Sequence, residues 1–386
     1  PFHVPSVVVS ELRKHAHEKD YVLVEGLTQL RKAVAKFHRD HDSIDAHARN
    51  VIIGPGSKEL LFILQLSFLG ELIVPSPCWV SYTPQARMLG KRIRIVPTTF
   101  DSGWRLTAKQ LDNTLKAAES EYPDLPHLLV LNYPNNPCGN TYSKKQLEDI
   151  AKVARKWKVI VLSDEIYGRL HHHRNHVSMA SIYPERTIVS SGLSKWCGAG
   201  GWRIGTFTFP SKLSWLREAM VNVASETFTS VNAPAQHAAI KAFHGDPAIT
   251  RYLGHIQRLL CVLGNRCAEM LSAADVKVHS PEGGFYLFPD FVHYRERLGK
   301  KGILTSPQLC EALLHDTGVA ILPGTAFERF PSELTARLAY VDFDGPRALS
   351  ESYKIDDNEL PDGFVEKWCE PTLTAVGLIV QWLKNL

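Results

Sequence analysis

Short runs of branched aliphatic residues alternate with helical patterns between about residues 50 and 210. Strands are predicted at residues 51–53, 71–74, 92–96, 127–131, 159–162, 187–190 and 204–209, and helices at 57–69, 83–89 and 143–156. Parallel strands need long crossover connections, so strand–helix alternation favours a mostly parallel sheet with helices on both faces. The pattern therefore predicts an α/β fold.

The pattern changes after the sheet region. A long helical stretch over residues 234–273 is interrupted near Gly245. Beyond it, strands at 283–288, 319–321 and 337–343 and a closing helix at about 363–386 indicate a smaller α+β unit. We expect a large domain at 27–273. The smaller domain would join residues 274–386 to residues 1–26, which are too few to form a domain alone.

Composition excludes several partners. The chain has 44 lysines and arginines against 40 aspartates and glutamates, spread without a basic patch, so nucleic acid and anionic membranes are not expected partners. No apolar run approaches the roughly 18 residues of a membrane span. Seven scattered cysteines without C-x-x-C spacing indicate reduced thiols and no metal site. We expect a cytoplasmic protein, unless an organellar leader precedes this chain.

The most informative stretch, residues 190–205, reads SSGLSKWCGAGGWRIG. Lys195 follows a predicted strand, and a glycine-rich loop leads to Arg203. A lysine amine at such a position can attack a carbonyl, and an arginine offers a planar fork to a phosphate or carboxylate. The alternative is a surface lysine beside a flexible loop.

Two further motifs follow neighbouring strands. Residues 163–167 read SDEIY, and residues 132–139 read NYPNNPCG. Asp164 alone is explained by a helix N-cap, and the second motif alone by turn chemistry. In an open parallel sheet, however, successive strand ends form the ligand crevice. All three motifs fall on such ends, which favours one shared site.

With these motifs in order, the chain resembles the class I and II aminotransferases, enzymes of fold type I that depend on pyridoxal 5′-phosphate. The resemblance covers essentially the whole chain. It implies a homodimer with shared active sites and a ping-pong exchange of an amino group between an L-amino acid and a 2-oxo acid such as 2-oxoglutarate. Residues 75–82, PSPCWVSY, resemble the aspartate/prephenate-like branch.

The resemblance also implies catalytic roles. Lys195 matches the lysine that holds the cofactor covalently and then moves the proton from substrate Cα. Asp164 matches the carboxylate that keeps the pyridine nitrogen protonated, so that the ring accepts electrons. Tyr167 and Asn136 match the pair that hydrogen-bonds the phenolate oxygen of the ring.

A second group matches the phosphate-binding residues of the family. Arg203 corresponds to the phosphate-binding arginine. Gly56, Ser57 and Lys58 precede or begin a predicted helix, where backbone N–H groups can meet an anion. Ser194 corresponds to a further hydroxyl donor, although a serine at a strand end is an equally good explanation.

The remaining matches concern the substrate and the subunit interface. Trp79 matches the aromatic residue that stacks on the ring. Arg337 matches the arginine that binds the substrate α-carboxylate, with Trp79 and Asn136 as further substrate contacts. Tyr21 aligns with a tyrosine that reaches the phosphate of the partner subunit; the alternative is an exposed tyrosine on an N-terminal arm.

Several alternatives stay open. Aspartate, glutamate, aromatic, alanine and kynurenine donors all remain possible, because no residue for a distal carboxylate is identified. A carbon–sulfur lyase, an aminocyclopropane carboxylate synthase and a non-enzymatic sensor are rivals on the same scaffold. The histidine-rich residues 171–176 have metal-ligand spacing, but we interpret them as a polar loop. The charged stretch 344–370 has no assigned role.

Overall fold

A seven-stranded sheet forms the centre of the protein in the computed structural model, which describes residues 1–355 and 359–386. The sheet order is β1-β7-β6-β5-β4-β2-β3. Only β7 runs antiparallel to its neighbours, so the predicted mostly parallel sheet is confirmed. Its strands are β1 (Val51–Pro55), β2 (Glu71–Ser76), β3 (Ile93–Pro97), β4 (His127–Asn132), β5 (Ile160–Asp164), β6 (Thr187–Gly192) and β7 (Ile204–Thr208).

The central strands are buried along their whole length. Such strands read as continuous apolar runs because helices cover both faces of a parallel sheet. Their register aligns Asn132 with Asp164 and Asp164 with Ser190. Asn132 and Asp164, which end β4 and β5, therefore lie beside Ser190, which is close to the end of β6.

Helices surround the two sheets. Three of them begin with a capping box, in which Thr107, Ser143 or Thr305 exchanges hydrogen bonds with a glutamine three residues later. No helix within residues 1–355 and 359–386 is both long and apolar enough to cross a membrane. The helices are α1 (Ser6–Lys14), α2 (Thr28–Asp42), α3 (Ser57–Ser67), α4 (Tyr82–Met88), α5 (Ala108–Glu121), α6 (Lys144–Lys156), α7 (Met179–Ile182), α8 (Ser214–Thr227), α9 (Ala233–Phe243), α10 (Pro247–Ser272), α11 (Arg295–Lys300), α12 (Ser306–Thr317), α13 (Gly345–Tyr353), α14 (Phe364–Trp368) and α15 (Glu370–Lys384).

A three-stranded antiparallel sheet forms the C-terminal unit, in the order β8-β10-β9. Its strands are β8 (Tyr286–Leu287), β9 (Leu322–Pro323) and β10 (Ala336–Ala339). The predicted strand at residues 319–321 is wrong. Gly318 ends α12 in the left-handed region, and the Val319 N–H bonds the Thr317 hydroxyl, so strand pairing begins only at Leu322.

The single helix predicted at residues 363–386 is also wrong, because the structure has two helices there. Cys369 ends α14, and α15 begins at Glu370 with Pro371 in its first turn. Proline lacks a backbone N–H and clashes with the preceding turn, so it starts a helix and cannot continue one.

The N-terminal segment contacts both parts of the molecule. The Phe2 ring packs edge-on against Phe343, with ring centroids 5.8 Å apart, and Tyr252 donates a hydrogen bond to the His3 carbonyl. Helix α1 instead packs against α9. Within the charged stretch 344–370, residues 356–358 lie outside the described part of the chain.

Candidate active site

A cavity of about 380 Å³ opens at the edge of the sheet where β4, β5 and β6 end. A volume of this size suits a small-molecule site. Four of its lining residues were not singled out by the sequence, namely Tyr82, Asn132, Ile166 and Gly200. Nine predicted site residues line it: Ser57, Lys58, Trp79, Asn136, Asp164, Tyr167, Ser194, Lys195 and Arg203.

The amine of Lys195 lies in this cavity. Its Nζ lies 5.6 Å from the centre of the Tyr167 ring and 5.9 Å from that of Phe285. Burial lowers the pKa of Lys195, and the positive charges of Arg337 and Arg203 lower it further. A lowered pKa increases the neutral fraction of the amine, which is the form that attacks a carbonyl and accepts a proton.

Asp164 is a buried carboxyl group held in place from three sides. Tyr82 donates a hydrogen bond of 2.6 Å to Oδ2, while the Ser190 hydroxyl at 3.3 Å and the Ile166 N–H at 3.4 Å reach Oδ1. Burial raises the pKa of Asp164 in spite of these donors. A cationic partner in the cavity would favour its charged form.

One end of the cavity is suited to an anion. Arg203 lies in the left-handed region and donates a hydrogen bond of 2.8 Å to the Gly200 carbonyl. A Cβ on Gly56 would lie 1.9 Å from Arg203 Nη2, so only glycine leaves room for the guanidinium. Helix α3 begins at Ser57, which directs its first N–H groups towards this end. Lys58 Nζ lies 5.2 Å from the Trp79 ring centre.

Arg337 lies beside the cavity and not in its immediate lining. Its Nη1 donates a hydrogen bond of 3.0 Å to Asn136 Oδ1. The guanidinium stacks between Tyr286 and Phe327, 4.6 and 5.1 Å from their ring centres. Among the residues that the structure describes, nothing accepts a hydrogen bond from its buried Nε. A buried donor without a partner is costly, so this side chain is prepared for an anionic ligand.

Tyr21 is not brought into the cavity of its own chain. Its side chain is 89% exposed, in the extended segment between α1 and α2.

These donors fit the cofactor expected from the sequence. Arg203, Ser194 and the start of α3 offer donors to a phosphate, and buried Asp164 offers a carboxylate to a protonated ring nitrogen. Asn136 and Tyr167 are placed to contact a ring oxygen, and Lys195 an aldehyde. Pyridoxal 5′-phosphate carries all four groups.

Sequence reasoning missed the residues that support this set. Tyr82 orients Asp164, and Tyr286 contacts the Tyr167 hydroxyl at 3.2 Å. The Asn132 side chain accepts a hydrogen bond from the Asn136 N–H and donates one to the Asp164 carbonyl. Asn132 begins the motif at residues 132–139 and Tyr82 ends the segment at residues 75–82, but neither position indicates contact with Asp164.

The histidine-rich residues 171–176 form a loop after Tyr167, as predicted, in which residues 173–175 are exposed and His171 and His172 are buried. The ring nitrogens of His172 lie 3.0 and 3.2 Å from the carbonyl oxygens of Pro281 and Gly284. His176 contacts the buried Glu165 carboxylate at 2.9 Å. His172 therefore attaches the loop to the C-terminal unit, and His176 attaches it to the residue that follows β5.

This packing predicts a loss of stability at acid pH. Burial lowers the pKa of His171 to about 4, and its Nδ1 accepts a hydrogen bond from the His173 N–H. An unfolded histidine titrates near 6.5, so the native state binds fewer protons below that pH. The free energy of unfolding that depends on a neutral His171 is fully present above pH 6.5 and is lost as the pH falls towards 4.

Thermal melts of the wild type and His171→Gln at pH 7.5 and pH 5 measure this effect. The wild type should lose roughly 2 kcal/mol more than the variant over this range, a few degrees in Tm. Equal losses in the two proteins would show that His171 does not contribute.

Comparison with known proteins agrees with this geometry. The family model for class I and II aminotransferases matches residues 3–341. An aspartate aminotransferase of Bacillus sp. (strain YM-2) is 32% identical over 325 residues, which are 82% of this chain and 78% of that protein. An asparagine–oxo-acid transaminase of Streptococcus mutans is 30% identical over 315 residues, 80% of this chain and 76% of that protein.

Solved structures give the same result. The aspartate aminotransferase of Thermus thermophilus with maleate superposes with a TM-score of 0.82 at 26% identity, covering 98% of this chain and 88% of that one. The aromatic aminotransferase of Pyrococcus horikoshii has the same TM-score and identity, covering 100% and 93%. The chain therefore belongs to the class I and II aminotransferases and is an enzyme that depends on pyridoxal 5′-phosphate.

Proposed function

We propose that this aminotransferase moves the amino group of L-aspartate to 2-oxoglutarate by a ping-pong mechanism. The observation that carries the α-amino acid assignment is Arg337, whose buried Nε has no acceptor among the described residues and whose Nη1 contacts Asn136. The relatives named aspartate aminotransferases support aspartate as the donor.

Lys195 is the proton carrier in the proposed mechanism. Bound pyridoxal 5′-phosphate supplies an aldehyde that takes up the amino group and a ring that delocalises the electron pair released at substrate Cα. The Lys195 amine, with its lowered pKa, would accept the proton from substrate Cα and deliver it to the cofactor carbon that carried the aldehyde oxygen. Lys195 lies three residues after the end of β6 and lines the cavity.

Asp164 would stabilise the positive charge of the cofactor ring. The buried carboxylate would pair with the ring nitrogen and keep it protonated, which favours the release of the Cα proton. Tyr82 fixes the orientation of the carboxylate through its 2.6 Å hydrogen bond. Tyr167 and Asn136 would bind the ring oxygen, and Trp79 would cover one face of the ring.

Arg337 positions the substrate. A bidentate guanidinium–carboxylate pair fixes the α-carboxylate and directs the Cα–H bond perpendicular to the ring plane. Tyr286 and Phe327 hold the guanidinium between them, which limits its motion before the substrate binds.

We propose a homodimer in which Tyr21 of each subunit binds the phosphate in the other subunit. Tyr21 and Leu23 are 89% and 55% exposed, which is unusual for large apolar side chains and is expected of an interface. We also propose that residues 27–273 form the cofactor domain, and that residues 1–26 and 274–386 form the smaller domain.

The anion-binding end gives a direct prediction. Gly56→Ala places a methyl group 1.9 Å from Arg203 Nη2 and displaces the guanidinium, so cofactor affinity should fall by about tenfold or more. Gly90→Ala is the matched control, because Gly90 also has a positive φ but faces open space. Cofactor titration of the two apoproteins measures the difference, and equal affinities would remove Arg203 from the phosphate site.

The substrate proposal is tested with the cofactor-loaded enzyme and one amino acid at a time. L-Aspartate should bleach the cofactor absorption and release oxaloacetate, and 2-oxoglutarate should restore the absorption. D-Aspartate is the control. Its opposite configuration at Cα means that its α-carboxylate cannot pair with Arg337 while its Cα–H bond points towards the Lys195 amine. A lower half-saturating concentration for L-phenylalanine would contradict the aspartate assignment. Release of pyruvate from a cysteine conjugate without an acceptor would favour a lyase.

A further inference from the structure

Three side chains that are far apart in sequence meet on the surface beside the N-terminal segment. His15 follows the last residue of α1, Glu18 lies in the segment that leads to Tyr21, and His237 lies on α9. One imidazole nitrogen from each histidine and a Glu18 carboxylate oxygen all lie within 4.8 Å of one another. The side chains are partly shielded, with 23%, 34% and 26% of their surface exposed.

The spacing of these atoms is close to that of a metal site. Glu18 Oε1 lies 3.3 Å from His15 Nδ1 and 4.0 Å from His237 Nε2. Zinc bonds of about 2.0–2.1 Å in a tetrahedron place neighbouring ligand atoms about 3.3 Å apart. The His15 and Glu18 atoms already have this separation, and His237 reaches it through a rotation of its side chain.

The two imidazole rings lie next to each other on the surface. They stack face to face with centroids 4.2 Å apart and an interplanar angle of 6°. The lone pair of an imidazole nitrogen lies in the plane of its ring, so the His237 ring must rotate out of this stack for its Nε2 to bind the same ion as His15 Nδ1.

Glu11 lies on the other side of the His15 ring from Glu18. Its Oε2 lies 3.6 Å from His15 Nε2, on the ring nitrogen that Glu18 does not face. In metal sites, the second ring nitrogen of a histidine ligand usually donates to a carboxylate, which fixes the tautomer and the ring orientation. Helix α1 places Glu11 one turn before His15, so the orienting carboxylate is part of the same local structure.

We propose that His15, Glu18 and His237 bind a divalent transition-metal ion, with Zn²⁺ as the best match. Two imidazoles and one carboxylate are a ligand set that Zn²⁺ favours, with water available for the fourth position. The ion would join α1, the segment before Tyr21 and α9. Because none of the three residues lines the catalytic cavity, its role is structural, and it would hold the N-terminal arm in place.

Calorimetric titration of Zn²⁺ into the untagged, chelator-dialysed holoenzyme tests this site. The wild type should bind about one ion per chain at micromolar or lower concentration. His15→Gln and His237→Gln should each weaken binding by more than about 100-fold, and Glu11→Gln by about 10- to 100-fold. His315→Gln is the control, since this histidine is 87% exposed and lies on α12, and it should leave binding unchanged.

Circular dichroism of each variant without metal shows whether it is folded. The absence of stoichiometric binding to the wild type up to about 100 µM Zn²⁺ would overturn the proposal. Binding that stays within threefold of the wild type in both His15→Gln and His237→Gln would also overturn it.

Discussion

Replacing Lys195 by alanine is expected to lower kcat by at least about 10³-fold. The substitution removes both the amine that holds the cofactor and the base that moves the Cα proton, and a positioned base alone contributes about 10²- to 10⁴-fold. The cavity keeps its other donors, including Arg203 and Asp164, so the variant should still bind the cofactor without a covalent bond. Borohydride treatment followed by mass spectrometry measures this directly.

In the wild type, borohydride should fix the cofactor on the peptide that contains Lys195. In Lys195→Ala, the same treatment should leave the chain unmodified. Lys152→Ala is the matched control, because Lys152 is exposed on α6 and pairs with Asp149. Wild-type activity in Lys195→Ala, or borohydride labelling at another lysine, would show that the Schiff-base assignment is wrong.

Replacing Asp164 by asparagine is expected to lower kcat by about 10²- to 10³-fold, the usual cost of losing one electrostatic group at a reacting centre. Asparagine has almost the same shape but no charge, so it cannot keep a ring nitrogen protonated. Because burial raises the pKa of Asp164, the native fold does not depend on its charge. The Tm of the apoprotein should therefore stay the same or rise slightly. Steady-state kinetics and a thermal melt measure the two effects separately.

Tyr82→Phe is the matched control for the charge. It removes the 2.6 Å hydrogen bond to Asp164 but leaves the carboxylate in place, and kcat should fall by about tenfold or less. If Asp164→Asn and Tyr82→Phe had equal activity, the orientation of the Asp164 side chain would matter for catalysis and its charge would not. If Asp164→Asn kept activity within tenfold of the wild type, Asp164 would not be the partner of the ring nitrogen.

The sheet and most of the cavity could be predicted from the sequence. Buried parallel strands are continuous apolar runs, and the residue that ends each run is the residue that reaches the crevice. Asn136, Asp164 and Lys195 each follow such a run, so their positions at the crevice could be predicted. The small sheet was harder, because β8 and β9 have only two residues each and the short apolar run at 319–321 has no periodicity.

Two features depended on contacts between distant parts of the chain. Tyr82 and Tyr286 reach Asp164 and Tyr167 from other elements, and no spacing in the sequence relates these pairs. The histidine-rich loop has a polar composition, yet His172 is buried because its ring lies within hydrogen-bond distance of the carbonyls of residues 281 and 284.

The sequence by itself determined the α/β architecture and the family, and it predicted the residues that would bind the cofactor. This is because strand periodicity, strand-end position and motif order are local properties of the chain. Only the tertiary structure decided the pKa shifts, the burial and the long-range contacts of individual side chains. The lowered pKa of Lys195, the buried carboxyl of Asp164 and the meeting of His15 with His237 all depend on burial and on neighbours far away in sequence. Desolvation and electrostatic interactions act through space, and they exist only once the chain has folded.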